Sequence, residues 1–305
     1  MDFPTFQAEL RRIAGHVQAF AAIGAAARLS QVKQQAHPAV EARLIAAVEA
    51  ILPGGLDGLD AQQVSDALEH VTFLMGEATE LFQNPDRPPA WVLRDPAVLQ
   101  ALGQASRQNV RSIVTLANDR PRLAASLAGR FLDVGTGVGA MAPEAAELCP
   151  SLQVVGLDIW EPSLALARAN VAASPHAARV EIRAQNVTQL DELAAYTLAW
   201  LAAPFLARPV AEAALDRLAV ALAPNGHLVV GLYAMPTDKA GAALTALRIV
   251  RGGGHVWDVA EMEQQLRARG FVEVETCSIL PTCLGDRPPT LAGTPRTGTS
   301  WPGIL

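Results

Sequence analysis

Cysteine is scarce in this sequence, with three in 305 residues. Cys149, Cys277 and Cys283 form no C-x-x-C pair or other metal-ligand spacing. An odd count also sits badly with a secreted disulfide framework, so reduced, packed thiols are expected. Long apolar runs are missing too. The longest uncharged, mostly apolar stretch, Leu193 to Ala207, falls short of the roughly 18 residues a membrane-spanning helix needs. The opening Met1-Asp2-Phe3-Pro4 lacks the basic segment and apolar core of a signal peptide. Together these absences point to a soluble, cytoplasmic protein with no membrane partner. Basic clusters are absent as well: the formal net charge is −6, and Arg11-Arg12 is the one adjacent basic pair. A nucleic-acid footprint needs clustered Lys and Arg to neutralise phosphates, so no nucleic-acid partner is expected. No spacing of His, Cys, Asp and Glu builds a metal site.

What is present is enough apolar sequence, 50 % of the residues, to bury a substantial core. Two textures meet near residue 125. Before it, Phe6, Leu10, Ile13, Val17 and Phe20 recur at helical intervals, and further helical patterns cover roughly 38–51, 60–82 and 96–117. Pro53-Gly54-Gly55 and the proline-rich 84–89 separate them. From Arg130 onward short apolar runs alternate with helical patterns. The runs are 131–134, 152–158, 179–183, 197–201 and 227–232, with Phe271–Thr276 as a sixth. That alternation marks a doubly wound α/β sheet with helices on both faces, and such sheets bind ligands at the carboxyl ends of their strands. The chain is therefore read as an all-helical domain over 1–125, an α/β domain over 126–280, and a Pro/Gly/Thr-rich tail over 281–305.

Between the first strand and its helix lies Asp133-Val134-Gly135-Thr136-Gly137-Val138-Gly139. Glycines there allow a tight turn and let a ligand lie against bare backbone at a helix N-terminus. The segment also satisfies G-x-G-x-x-A, which a nicotinamide-dependent oxidoreductase could use. Asp133, however, stands where a dinucleotide fold keeps an apolar strand residue, and a carboxylate there suits a ligand carrying an ammonium group. Asp158 ends the second strand, placed to accept hydrogen bonds from ribose hydroxyls. A third feature, the turn Ala223-Pro224-Asn225-Gly226, leads into a buried strand.

In this order, residues 131–139, 154–160 and 220–232 resemble the successive motifs of class I S-adenosylmethionine-dependent methyltransferases, over about 126–278. The resemblance implies a Rossmann-like methyltransferase sheet and S-adenosylmethionine as cofactor. By that likeness Gly135, Thr136, Gly137 and Gly139 form the turn beneath the donor's amino-acid end, and Asp133 helps hold its ammonium group. Asp158 takes the ribose, Ile159 and Trp160 pack on the adenine, and Asn186 and Val187 occupy the place of an adenine-contacting acid. The chain departs from the family in having Asn186 there, in reading Tyr196-Thr197-Leu198 at the fourth strand, and in lacking an Asn-Pro-Pro-Tyr motif. The last departure disfavours DNA or amide-nitrogen methylation and leaves an oxygen or carbon nucleophile of a small molecule.

Residues expected near the acceptor are few. His255, after three glycines, is the candidate base, and Tyr233 at the end of the fifth strand is a second candidate. Trp200, Phe205 and Trp257 are candidate pocket-lining residues. The helical domain, with its low charge and apolar faces, is expected to cover a hydrophobic or aromatic acceptor, to form a homodimer, or both. Two alternatives stay open: an NAD(P)-dependent oxidoreductase, and a non-catalytic donor-binding protein.

Overall fold

The structure is a computed structural model. It describes residues 1–31 and 36–277, and the backbone of 290–295. The chain divides into two compact units, Met1–Pro85 and Asp86–Leu305.

The first unit contains α1 (Phe3–Gln31), α2 (Pro38–Ile51) and α3 (Ala61–Gln83). Asp60 starts α3 with a reciprocal capping box: its side chain accepts from Gln63 N, and Gln63 Oε1 accepts from Asp60 N. Gly24 lets α1 approach α3 closely, because a Cβ there would meet Val71 Cγ1 at 2.5 Å. Phe20 sits edge-on to His70 with ring centroids 6.2 Å apart, so His70 has a packing role. The apolar stripe that betrayed α1 in the sequence does not end in this core. Phe6, Leu10, Ile13 and Val17 are each about half exposed.

The second unit begins with α4 (Pro96–Ala105), α5 (Arg107–Ala117) and α6 (Pro121–Ser126). The alternation expected from the sequence follows: β1 (Arg130–Val134), α7 (Met141–Leu148), β2 (Gln153–Asp158), α8 (Glu161–Ala172), β3 (Val180–Ala184), β4 (Tyr196–Ala202), α9 (Arg208–Ala221) and β5 (Leu222–Gly231). Then come α10 (Lys239–Arg251), α11 (Val259–Ala268), β6 (Phe271–Cys277) and β7 (Thr290–Pro295). The sheet order is β3-β2-β1-β4-β5-β7-β6. The first five strands pair in parallel, and β7 pairs antiparallel with both β5 and β6. The fold class is thus α/β, a doubly wound, Rossmann-like sheet with a helical N-terminal region.

Period-two alternation along the parallel strands sends side chains into two apolar layers. Leu132, Val134, Val155, Leu157, Leu201 and Val230 meet α9 and α11 through Leu215, Leu218, Met262 and Leu266. Phe131, Val154, Leu198, Trp200 and Val229 meet α5, α6 and α7 through Ile113, Leu116, Leu123, Met141 and Ala145. This second layer corrects the expected domain limits. The helical texture runs to residue 126, but α5 and α6 bury their apolar faces against the sheet, so the division falls at 85/86 rather than near 125. Composition cannot separate a helix that caps a sheet from one that belongs to a helical bundle. The sequence leaves open whether the Pro/Gly/Thr-rich stretch supplies a seventh strand; its residues 290–295 form β7 between β5 and β6.

Glu144 of α7 fastens this layer. Its side chain is 5 % exposed, and Arg107 and Arg111 of α5 reach its two oxygens at 2.6 Å each. A buried carboxylate needs such partners to offset desolvation.

Candidate functional site

The strand order reverses beside β1, and the expected ligand-binding residues gather at the carboxyl ends of β1 and β2. Gly135 N and Thr136 N both donate to Leu157 O at 2.9 Å, which ties the glycine turn to the neighbouring strand. Gly135, Gly137 and Gly139 all have positive φ (76°, 57° and 70°). At Gly135 the missing Cβ would meet no atom within 4 Å, so bare backbone there borders open space. Gly156, one strand over, is glycine for a different reason: a Cβ would meet Thr136 Oγ1 at 2.6 Å.

Two carboxylates converge on this turn. Asp158 is bound to it directly, with Gly137 N donating to Oδ2 at 2.8 Å. Its Oδ1 accepts from Ile159 N at 2.7 Å and Trp160 N at 2.8 Å. Burial nevertheless raises the Asp158 pKa against those three hydrogen bonds. Asp133 is 1 % exposed. Thr136 Oγ1 donates to its Oδ2 at 2.7 Å, and its Oδ1 is buried with no hydrogen-bond partner. Burial pushes Asp133 up to about 7; the Thr136 hydroxyl opposes the shift and the Asp158 charge adds to it.

This arrangement fits the donor the sequence implies. The orphaned Asp133 oxygen is an acceptor awaiting a donor, and a buried unpaired acceptor is costly without one. Asp158 uses three of a carboxylate's roughly four lone-pair sites, which leaves capacity for a ribose hydroxyl. Gly135, with open space over it, lies between the two in sequence.

The remaining cofactor-side residues are distributed unevenly. Ile159 is 70 % exposed, an apolar surface next to Asp158 suited to an adenine face. Trp160 is fixed from the far side: its Nε1 donates to Leu93 O at 2.8 Å, and the Arg94 guanidinium lies 4.9 Å from its ring centre. Asn186 Oδ1 accepts from both Thr188 N and Thr188 Oγ1 at 3.0 Å, capping the single turn Val187–Gln189. The oxygen expected to receive the adenine amine is therefore engaged by its own turn. Val187 is buried in the core beside it.

At the ends of β4 and β5 a second group assembles. Phe205 lies 5.8 Å from Tyr233 and 5.6 Å from Trp91, centroid to centroid. The Arg248 guanidinium lies 4.7 Å from the Tyr233 ring centre. A Cβ on Gly254 would overlap Pro204 O, so the loop carrying His255 packs against the loop carrying Phe205. His255 meets Trp257 edge-on at 4.7 Å, and its Nε2 is 3.8 Å from Glu261 Oε2. Trp257 is itself buried, with Leu206 and Met262 in the same cluster. Trp200 departs from its expected role. It is 5 % exposed, and a Cβ on Gly231 would touch its ring at 2.7 Å, so it fills the sheet layer rather than lining a pocket. Alternation along β4 explains this, since Trp200 shares the face of Leu198.

The extended segment before α4 makes backbone contacts that the sequence does not signal. Ala90 N donates to Arg251 O at 3.0 Å, Trp91 meets Phe205, and Leu93 O holds Trp160, so residues 90–94 link the loops after β4 and β2 with the end of α10. A backbone carbonyl leaves no sequence signal. Asn170 of α8, which donates to Val138 O at 2.8 Å and is bonded to Gln100, was equally invisible. Among the described residues no group of His, Cys, Asp and Glu could hold a metal ion.

Comparison with known proteins agrees with this geometry. Residues 131–226 match the family model described as a methyltransferase domain. The chain is 49 % identical over 53 residues to a ubiquinone/menaquinone biosynthesis C-methyltransferase of Geobacter sulfurreducens. That match covers 17 % of this chain and 21 % of the relative, so it spans about a fifth of the relative's length. An O-methyltransferase family protein of Burkholderia thailandensis superposes with a TM-score of 0.67 at 17 % identity, over 96 % of this chain and 98 % of that one. Human N-acetylserotonin methyltransferase, solved with S-adenosylmethionine, gives 0.66 at 16 % identity over 97 % and 99 %.

Proposed function

We propose, from the premise that this chain carries a class I S-adenosylmethionine-dependent methyltransferase domain, that it methylates an oxygen or carbon nucleophile of a small hydrophobic or aromatic molecule. The observation that carries the reading is the meeting of one buried and one half-buried carboxylate on one glycine turn: Gly137 N bonded to Asp158, and Asp133 with an unused oxygen.

When bound, the donor supplies a methyl group already activated by its sulfonium. The protein's task is then mainly to align nucleophile, methyl and leaving group, which can itself supply several kcal/mol (about 7–11 at best). Asp133 would hold the ammonium end and Asp158 the ribose, while the exposed Ile159 side chain would cover the adenine. Trp91, Phe205 and Tyr233 offer flat, offset ring surfaces suited to a planar acceptor. His255 is the group to accept a proton from it, with Glu261 behind it and Arg208 paired to Glu261 at 2.7 Å. The similarity to an O-methyltransferase family protein favours oxygen over carbon; the short, more identical match to a C-methyltransferase keeps carbon in play.

A homodimer through the first unit is part of the same reading. It is supported by the exposed stripe of Phe3, Phe6, Leu10, Ile13 and Val17 on α1, a contiguous apolar face of the kind that marks association surfaces. A cytoplasmic setting suits the free, buried thiols Cys149 and Cys277. No helix among the described residues is long and apolar enough to cross a membrane.

Calorimetry with S-adenosylhomocysteine and with NAD tests the donor site, and labelled methyl transfer across phenols, enols and carboxylates tests the reaction. Binding of the homocysteine compound and methylation of at least one acceptor class are expected. Binding of NAD alone would overturn the proposal, and donor binding with no transfer to any class would favour a non-catalytic binder.

A further inference from the structure

Thr136 belongs to the glycine turn, yet its hydroxyl does not face the open space. It is buried, wedged against Gly156, and donates to Asp133 Oδ2. Asp133 is thereby held in one rotamer, with Oδ2 satisfied and Oδ1 enclosed and unpaired. A carboxylate so placed is in order only if Oδ1 carries a proton or faces a cation.

We infer that Thr136 is a positioning residue, and that capture of the donor's ammonium group at Asp133 Oδ1 expels one proton from the protein. This rests on the donor-site reading proposed above. In the empty protein the proton sits on Oδ1. On binding, that O–H bond breaks, its electron pair stays on the carboxylate, and the proton leaves to buffer. An N–H of the ammonium takes its place as the hydrogen bond to Oδ1.

The surroundings favour this exchange from every side. On β2, Asp158 is negative and resists a second ionised carboxylate nearby. On β4 the register partner is Trp200, which is uncharged. On α7 the one buried acid, Glu144, is already neutralised by Arg107 and Arg111 of α5. The buried face of α8 presents Ser163, Leu164 and Ala167, none charged. Among the described residues no cation on these elements is available to Asp133, so an arriving ammonium is the charge that changes its state. The value of about 7 to which burial raises Asp133 agrees.

The test is the affinity for S-adenosylhomocysteine between pH 5.5 and 7.5, by calorimetry in buffers of different ionisation enthalpy. The ligand's own α-amino group titrates near about 8, outside most of this window. A single proton lost from a group near 7 predicts about 25-fold tighter binding at pH 7.5 than at 5.5, with close to one proton released at the acid end. Asp133→Asn should bind more weakly and without this pH dependence. Thr136→Val, which removes the hydroxyl that opposes protonation, should move the midpoint to higher pH, and Thr136→Ser should restore it. Wild-type binding that is flat with pH and releases no proton overturns the coupling while leaving the donor site intact. Coupling unchanged in both Thr136→Val and Thr136→Ser overturns the positioning role. Failure to bind S-adenosylhomocysteine at every pH overturns the donor-site reading and this inference with it.

Discussion

Gly135→Ala and Gly139→Ala form a pair that separates ligand space from packing. Both glycines have positive φ, 76° and 70°, so alanine at either position pays a left-handed strain of about 1–2 kcal/mol. Their surroundings differ. A Cβ at Gly135 meets nothing within 4 Å, whereas one at Gly139 meets Ala167 Cβ at 3.0 Å and Ala167 Cα at 3.3 Å on α8. For Gly135→Ala the strain is the whole structural cost, and a unit of this size should lose about 2–8 °C in Tm. Gly139→Ala adds an overpacking cost of about 1–3 kcal/mol, giving a larger fall in Tm. Ligand affinity should follow the opposite order. If the space over Gly135 receives the donor, its new methyl should weaken S-adenosylhomocysteine by about 10- to 100-fold, while folded Gly139→Ala stays within about fivefold of wild type. Differential scanning fluorimetry and calorimetry on the same preparations give both numbers. Gly135→Ala binding at wild-type strength, with Gly139→Ala losing affinity instead, would refute the assignment of open space to the ligand.

Asp158→Ala removes the acceptor for three backbone N–H groups and, on the proposed reading, for the ribose. It should weaken S-adenosylhomocysteine at least about tenfold and also lower Tm, as unsatisfied groups cost about 1–3 kcal/mol each. Asp133→Asn should stabilise the ligand-free protein in alkaline but not acidic solution. A carboxyl raised in the fold from 3.8 to about 7 withholds its ionisation until that pH, so its destabilising effect grows from about pH 4 and is complete above 7. The gain at pH 8 is on the order of 2–4 kcal/mol in urea unfolding, against nearly none at pH 4. Glu144→Ala should cost about 3–5 kcal/mol, because two guanidiniums lose their shared partner. Burial pushes Glu144 up, but Arg111 and Arg107 bring it below its usual 4.5. The wild-type protein should therefore lose this contribution as pH falls below about 4.5, and the variant's acid denaturation curve should lack that component.

Periodicity made the sheet readable: each expected strand from 131 to 276 lies within a few residues of its observed position, the buried parallel strands β1, β2 and β4 as continuous apolar runs and the half-exposed β3 and β6 as alternating ones. The glycine turn and Asp158 were readable for a different reason, as residues whose chemistry is awkward anywhere else. What sequence could not supply was partnership. The stripe on α1 announced a helix correctly but not that Phe6 and Ile13 would stay outside the unit's core. The helices at 96–126 look like the earlier ones, and only the layer they pack against assigns them to the sheet. Trp200 and Phe205 are both large and apolar, but strand alternation buries the first and a turn exposes the second. Asn186 is spent on Thr188, two residues away, a local bond that competes with any long-range role for the same oxygen.

Among the described residues, the last strand in the chain is not the last in the sheet. β7 fills the gap between β5 and β6 although it is encoded after both. During synthesis, the nascent chain can therefore assemble β1 to β5, with the glycine turn and both carboxylates in place, while the rims of β5 and β6 still lack a partner. Unpaired rims invite pairing with other chains. Until residues 290–295 leave the ribosome, the half that binds nucleoside is ready and the half that protects it from aggregation is not. A ligand present at that moment would act as a folding aid before it acted as a reagent.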